Sequence, residues 1–212
     1  MDKIALITNH PYAADSWDAI VPKGAKHDNT KSDGFINEIF DRYGKDLKYL
    51  DLGCAGGGFV AQVADKEAFS IGIDGSDYNM LNGTGEWRND KVRDRFFTAD
   101  ITKPFYIVKD VEGSYPSRIK FDVISAFDVL EHINYYEIPA VIANIKNHLN
   151  PNGIFVTSIA TFADEDYHVT IKPEGWWDSM FFEQDMIPDE PLKVFGRSSS
   201  INRVYKCHTP SL

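Results

Sequence analysis

Apolar residues along the chain gather in short runs of strand length, separated by amphipathic or polar stretches. Tyr49-Leu50-Asp51-Leu52, Phe69-Ser70-Ile71-Gly72-Ile73, Phe96-Phe97-Thr98-Ala99, Phe121-Asp122-Val123-Ile124 and Ile154-Phe155-Val156-Thr157-Ser158-Ile159 are such runs. Nearly continuous hydrophobicity over so few residues suits strands buried on both faces of a parallel sheet. Helix patterns lie between them. Ser32-Asp33 caps a stretch running to Tyr43, with Phe35, Ile36, Ile39 and Phe40 on one face. A second helix pattern starts at Phe59, and Pro173-Glu174-Gly175-Trp176-Trp177 reads as the start of another, with Trp176 or Trp177 as its core anchor. The alternation from residue 48 to 160 predicts an α/β fold with right-handed crossovers.

Three stretches fall outside that alternation. Residues 1–31 read as irregular, either a lid or a plain N-terminal arm, ahead of a single domain over 32–212. Lys103 to Lys120, with Pro104, Gly113 and Pro116, form a longer connection with a hairpin of its own. Leu192-Lys193-Val194-Phe195 and Ile201 to Cys207, joined through Gly196 to Ser200, read as a second β-hairpin.

The chemistry concentrates where strands end. After Tyr49-Leu50-Asp51-Leu52 comes Gly53-Cys54-Ala55-Gly56-Gly57-Gly58-Phe59, a turn whose small residues let a ligand approach the main chain at the start of a helix. Such turns also serve as tight loops with no ligand. The next strand ends at Asp74, followed by Gly75-Ser76-Asp77. An acidic residue about twenty positions after the glycine turn can hydrogen-bond both hydroxyls of a ribose; the alternative is a carboxylate capping the next helix, a role that also suits Asp77. Asp100-Ile101, at a third strand end, pairs an acceptor for an exocyclic amine with an apolar surface for a flat base.

Together these motifs resemble the class I S-adenosylmethionine-dependent methyltransferases over roughly residues 46 to 160. Asp51 to Gly58 is similar to their first motif, Ile73-Asp74 to the acidic end of their second strand, and Asp100-Ile101 to their adenine-side motif. Phe121 to Ile124 and on through Leu130-Glu131-His132 resembles motif four, and Leu149-Asn150-Pro151-Asn152-Gly153 the turn into strand five. Ala55 departs from the pattern, standing where many members carry a second glycine. The resemblance implies a Rossmann-like, doubly wound, mostly parallel seven-stranded sheet with an antiparallel last strand, the C-terminal hairpin supplying strands six and seven. It implies S-adenosylmethionine as cofactor, with Asp51, Gly53, Cys54, Ala55, Gly56, Gly58, Asp74, Gly75, Ser76, Asp100, Ile101, Phe127 and Asp128 around it.

Composition narrows the acceptor. The 212 residues carry a formal net charge of -10 and show no evident Lys/Arg cluster, which argues against nucleic acid, although Lys23, Lys26 and Lys31 could form a local patch. No apolar stretch approaches a membrane span, the N-terminus lacks a secretory pattern, and Cys54 and Cys207 are expected as reduced thiols in a cytoplasmic protein. Cys54 reads as a small filler of the turn rather than a nucleophile. The histidines show no close ligand spacing, so no metal is expected. His168, on the loop after the Ile154–Ile159 strand, is either a general base for an acceptor hydroxyl or a holder of that loop; His132 either shapes the pocket or acts in catalysis. His168-Val169-Thr170 before Trp176-Trp177, with Asn9-His10-Pro11 and Asp28-Asn29-Thr30 upstream, resembles viral and microbial methyltransferases, some linked to glycan or small-molecule modification. The leading reading is therefore O-methylation of a small molecule or glycan. Three others stand beside it: an RNA ribose methyltransferase, a non-catalytic cofactor-binding regulatory module, and an NAD-binding dehydrogenase. The first lacks its family's Asp directly after strand four, where Ser125-Ala126-Phe127 stands. Motif four and the C-terminal hairpin weaken the last.

Overall fold

The computed structural model describes residues 3–23, 25–110, 115–164, 167–192 and 200–208. In chain order its elements are β1 (Lys3–Thr8), α1 (Trp17–Ile20), α2 (Asp33–Tyr43), β2 (Lys48–Leu52), α3 (Gly58–Asp65), β3 (Phe69–Asp74), α4 (Tyr78–Asn82), β4 (Phe96–Thr98) and β5 (Phe105–Asp110). They continue with β6 (Ser117–Arg118), β7 (Phe121–Phe127), α5 (Ile138–His148), β8 (Leu149–Ala160), α6 (Glu174–Phe182), β9 (Met186–Pro188) and β10 (Ser200–Cys207). The main sheet has seven strands in the order β4-β3-β2-β7-β8-β10-β9. The pairs from β4 to β8 are parallel, whereas β10 runs antiparallel to both β8 and β9. This is the Rossmann-like doubly wound sheet with an antiparallel last strand.

Period-two alternation divides the core between the two faces of that sheet. Tyr49, Val123, Ile154, Val156 and Val204 point to one side, where α2 and α3 bring Phe35, Ile36, Ile39, Phe59, Val60 and Val63. Leu50, Leu52, Ile71, Ile73, Ile124, Phe155 and Tyr205 point to the other, against Ile138, Val141, Ile142 and Ile145 of α5 and Trp177 and Phe181 of α6. Trp177 is the α6 anchor, with no exposed surface, and Phe181 stacks on Tyr205 at 3.8 Å between ring centroids. Burying one such side chain contributes roughly 1.5–3 kcal/mol. The Ser32 side chain caps α2 by accepting from the Phe35 N–H at 3.3 Å, and Gly44 ends the helix at φ +74°.

Two details differ from the sequence reading. Lys3–Thr8 is a strand rather than irregular chain: it pairs antiparallel with β5, and β5 pairs with β6, giving a three-stranded side sheet. The expected hairpin within Lys103–Lys120 is therefore real and gains a third strand. Phe105 and Ile107 anchor this sheet in the α5-side core. The sixth strand expected at Leu192–Phe195 falls mostly outside the described residues. The segment that pairs with β10 is Met186–Pro188, and its proline is tolerated because β9 is the edge of the sheet.

Candidate active site

Strand order reverses between β2 and β7, so the crevice at their carboxyl ends is where an open α/β sheet takes ligands. A cavity of about 670 Å³ lies there, lined by Gly53, Ala55, Asp74, Gly75, Ser76, Asp100, Ile101, Phe127, Asp128, His132 and His168. That volume suits a ligand of nucleoside size with room beside it, since pockets for such molecules run from roughly 300 to 1,000 Å³.

The floor is built by the turn after β2. Gly53 adopts φ +71° and has the Val129 side chain against the place a Cβ would occupy, so only glycine fits. Its N–H and that of Cys54 both donate to the Ile73 carbonyl, at 2.8 and 3.1 Å. Ala55 is also left-handed, at φ +46°, a conformation that costs an alanine about 1–2 kcal/mol. Two bonds hold it there: its N–H donates to Asp74 Oδ2 at 2.7 Å, and its carbonyl accepts from Trp87 Nε1 at 2.7 Å.

Asp74 is buried at the end of β3. Its second oxygen, Oδ1, accepts from the Ser76 N–H at 2.8 Å. Burial raises its pKa, and the Ser76 and Ala55 N–H groups oppose that rise. Asp77 occupies the N-cap position of α4 without a side-chain cap bond. Asp100 Oδ1 accepts from the Thr102 N–H and Oγ1 at 2.8 and 2.6 Å, while Ile101 is buried beside it. Asp128 sits at φ +52°, with its N–H on the Ser158 carbonyl and its Oδ1 accepting from Ser158 Oγ at 2.8 Å.

Asp51, Cys54, Gly56 and Gly58 do not line the cavity. Asp51 lies beneath the turn, in a buried chain of 2.6 Å bonds from Tyr49 Oη through Ser125 Oγ to Asp51 Oδ1. Burial pushes its pKa up to about 7, against the Ser125 and Tyr49 hydrogen bonds. Burial likewise pushes the Cys54 thiol up, which suits a filler of the turn. Gly56 and Gly58 face the chain's own N-terminal segment. A Cβ on Gly56 would meet Asn29 at 3.1 Å and the Asp28 carbonyl closer still, and the Gly56 N–H donates to that carbonyl at 2.8 Å. The backbone approach that glycine permits is taken up here by residues 28–30.

That N-terminal segment forms a wall of the cavity, contributing Ala13, Trp17, Asp18 and Lys23. Ala13 N–H bonds the Gly75 carbonyl, Ser76 Oγ bonds the Ala19 carbonyl at 2.8 Å, and the Asp100 N–H bonds the His10 carbonyl. Across the mouth, Lys23 pairs with Asp164 at 3.3 Å and Tyr167 Oη donates to the Val21 carbonyl at 3.2 Å. Neither Asp18 nor Trp87 stood out in the sequence, because neither belongs to a local motif.

Both histidines line the cavity. Leu130–His132 is one turn of 3-10 helix after β7, and His168 follows β8. Buried Thr170 ties the two loops: its N–H donates to the Glu131 carbonyl at 3.0 Å and its Oγ1 to the Ile133 carbonyl at 2.6 Å. The rings of His132 and His168 therefore meet edge to face, centroids 4.9 Å apart. Burial lowers the His132 pKa, partly offset by Asp18, whose carboxylate lies 3.6 Å from Nδ1. His168 Nδ1 lies 2.7 Å from the Phe162 carbonyl; an oxygen acceptor requires the proton on Nδ1, so in the neutral ring the lone pair is on Nε2. Glu131 is fully buried, its Oε1 accepts from the Ala160 N–H at 2.8 Å, and burial raises its pKa to about 7. Glu131, His132 and His168, distant or unremarkable in sequence spacing, each bring a ligand-type atom within 4.8 Å of the others.

Among the described residues no helix is long and apolar enough to cross a membrane. Residues 25–189 match the family described as a methyltransferase domain. No curated protein matches the chain. Among solved structures, an S-adenosylmethionine-dependent methyltransferase from Clostridium acetobutylicum superposes with a TM-score of 0.62 at 14% identity, covering 91% of this chain and 96% of its own. The CcbJ methyltransferase from Streptomyces caelestis gives 0.58 at 16% identity, with 94% and 98% covered. A glycopeptide N-methyltransferase, MtfA, crystallised with sinefungin, gives 0.56 at 13% identity, with 85% and 89% covered. At these identities the structures speak for the fold, and the domain match speaks for the family. The chain belongs to the methyltransferase-domain family, as a class I S-adenosylmethionine-dependent methyltransferase.

Proposed function

We propose that the protein transfers the methyl group of S-adenosylmethionine to a hydroxyl of a small molecule or glycan. Asp74, with Gly75 and Ser76, holds the ribose: each Asp74 oxygen already accepts one backbone N–H and retains a lone pair for a hydroxyl. Asp100 and Ile101 take the adenine. Gly53, Ala55, Phe127 and Asp128 surround the amino-acid portion of the cofactor, and Asp51, Cys54, Gly56 and Gly58 act by shaping the turn from beneath. Residues 9–23 and 25–31 serve as the lid over the cofactor.

The observation that carries the reading is the His132–His168 pair on the lining of the same cavity as Asp74 and Asp100. Methyl transfer forms an acceptor O–C bond as the S–C bond breaks, and S-adenosylhomocysteine leaves with the electron pair. The hydroxyl proton must go to a base; we assign that role to Nε2 of His168, a reading supported by the engagement of its Nδ1 with the Phe162 carbonyl and by His132 beside it. That a glycopeptide N-methyltransferase has this fold supports the glycan part of the reading and not the choice of oxygen. A formal charge of -10 disfavours RNA.

The test is a screen of hydroxylated small molecules and glycans with labelled cofactor, followed by His168→Ala on the best acceptor. Cofactor affinity should hold while turnover falls about a hundredfold. Full turnover in a folded His168→Ala protein would remove the base from His168, and turnover confined to amine acceptors would overturn O-methylation.

A further inference from the structure

We propose that Glu131, His132 and His168 form a site for one divalent transition-metal cation, zinc or manganese, that holds the acceptor hydroxyl. Their candidate ligand atoms lie within 4.8 Å of one another, close enough that a small inward shift of the side chains brings all three onto one centre at bonds of about 2.0–2.2 Å. Two of them lack partners. Glu131 is fully buried, yet only Oε1 is engaged, by the Ala160 N–H; Oε2 is buried with no hydrogen bond. His132 Nδ1 is likewise buried without one, with the Asp18 carboxylate at 3.6 Å, beyond hydrogen-bond distance. A carboxylate oxygen and an imidazole nitrogen shut away from water are costly to leave unsatisfied, and a cation bound by both removes that cost.

The third ligand is prepared in the way metal-binding histidines usually are. Its Nδ1–H is fixed on the Phe162 carbonyl, so Nε2 presents its lone pair. Two imidazoles and one carboxylate suit zinc or manganese; magnesium prefers an all-oxygen shell. Three protein ligands leave positions open, and they open on the cavity. A hydroxyl bound there would ionise more readily, giving its proton to the Asp18 carboxylate that lines the same cavity 3.6 Å from His132 Nδ1, and its oxygen would attack in line as the S–C bond breaks. This role rests on the methyl-transfer reading and deepens it: with the cation present, His168 is its ligand and the cation, rather than the imidazole, makes the hydroxyl acidic.

The site is tested with cobalt(II) chloride alone, added to chelator-treated protein with neither cofactor nor acceptor. One cobalt per chain should bind and give visible d–d bands from a nitrogen–oxygen shell. His168→Ala and Glu131→Gln should each weaken binding at least tenfold, whereas His10→Ala, an exposed histidine outside the cluster, should not. Calorimetry with S-adenosylmethionine on the same preparations shows that the variants are folded; should Glu131→Gln not fold, His168→Ala decides alone. Absence of stoichiometric cobalt, or an unchanged titration in His168→Ala, overturns the proposal. A parent protein that binds cobalt but not S-adenosylmethionine would instead sink the methyl-transfer reading and leave the metal site standing.

Discussion

Replacing Asp51 by asparagine isolates the cost of a carboxyl that the fold buries under its ligand turn. Asp51 is almost inaccessible, and its folded pKa is raised from the ordinary 3.8 to about 7. Between those values the folded chain keeps a proton that the unfolded chain has lost, so folding takes up a proton. Stability therefore falls as pH rises from the unfolded value to the folded one, then levels off. Linkage at about 1.4 kcal/mol per pH unit gives a loss of roughly 2–3 kcal/mol between about pH 5 and about pH 8. Asparagine keeps an acceptor for Ser125 Oγ and does not titrate. It brings instead a buried amide N–H that lacks a partner, at a pH-independent cost of about 1–3 kcal/mol. Urea unfolding of both proteins at several pH values in that range should show Asp51→Asn gaining on the parent as pH rises. Glu131, which also titrates near 7, is present in both proteins and cancels in the difference. Parallel stability profiles across that range would show that Asp51 is ionised in the fold and that the burial argument is wrong.

Two further substitutions probe the same floor. Asp74→Ala removes the acceptor of two backbone N–H groups as well as the proposed ribose contact, so S-adenosylmethionine affinity should drop at least tenfold. Stability should fall by about 2–3 kcal/mol, because the charge-assisted bonds are partly offset by relief from burying a carboxylate. Calorimetry and urea unfolding read the two effects separately, and unchanged cofactor affinity in folded protein would move the ribose elsewhere. Ala55→Gly should raise the thermal midpoint: relief of the left-handed strain, about 1–2 kcal/mol, exceeds the roughly 0.4–1 kcal/mol of added chain entropy. A lowered midpoint would mean that the Ala55 methyl makes contacts worth more than the strain.

What the sequence made legible is what local chemistry determines. Continuous apolar runs could only be strands covered on both faces, and the cap at Ser32 and the small residues from Gly53 to Gly58 marked where elements begin and turn. Strand Lys3–Thr8 escaped notice because its partner, Phe105–Asp110, lies far along the chain and no turn joins them. Met186–Pro188 escaped because three residues ending in proline carry almost no strand signal; only its position at the sheet edge makes pairing possible. The site divides along the same line. Asp74 and Asp100 follow their strands directly, so their place in the crevice is set by topology. His132 and His168 depend on two loops meeting, and that meeting is made by Thr170, a residue whose side chain and N–H reach across to the carbonyls of Ile133 and Glu131. No spacing rule could reveal it, since nothing in the local pattern says which carbonyl a buried threonine will find. Gly56 and Gly58 show the converse. The small residues of the turn lead one to expect a ligand against the main chain, but what approaches Gly56 and Gly58 is the chain's own Asp28–Thr30. A glycine reports that something comes near; its identity is decided by the rest of the fold.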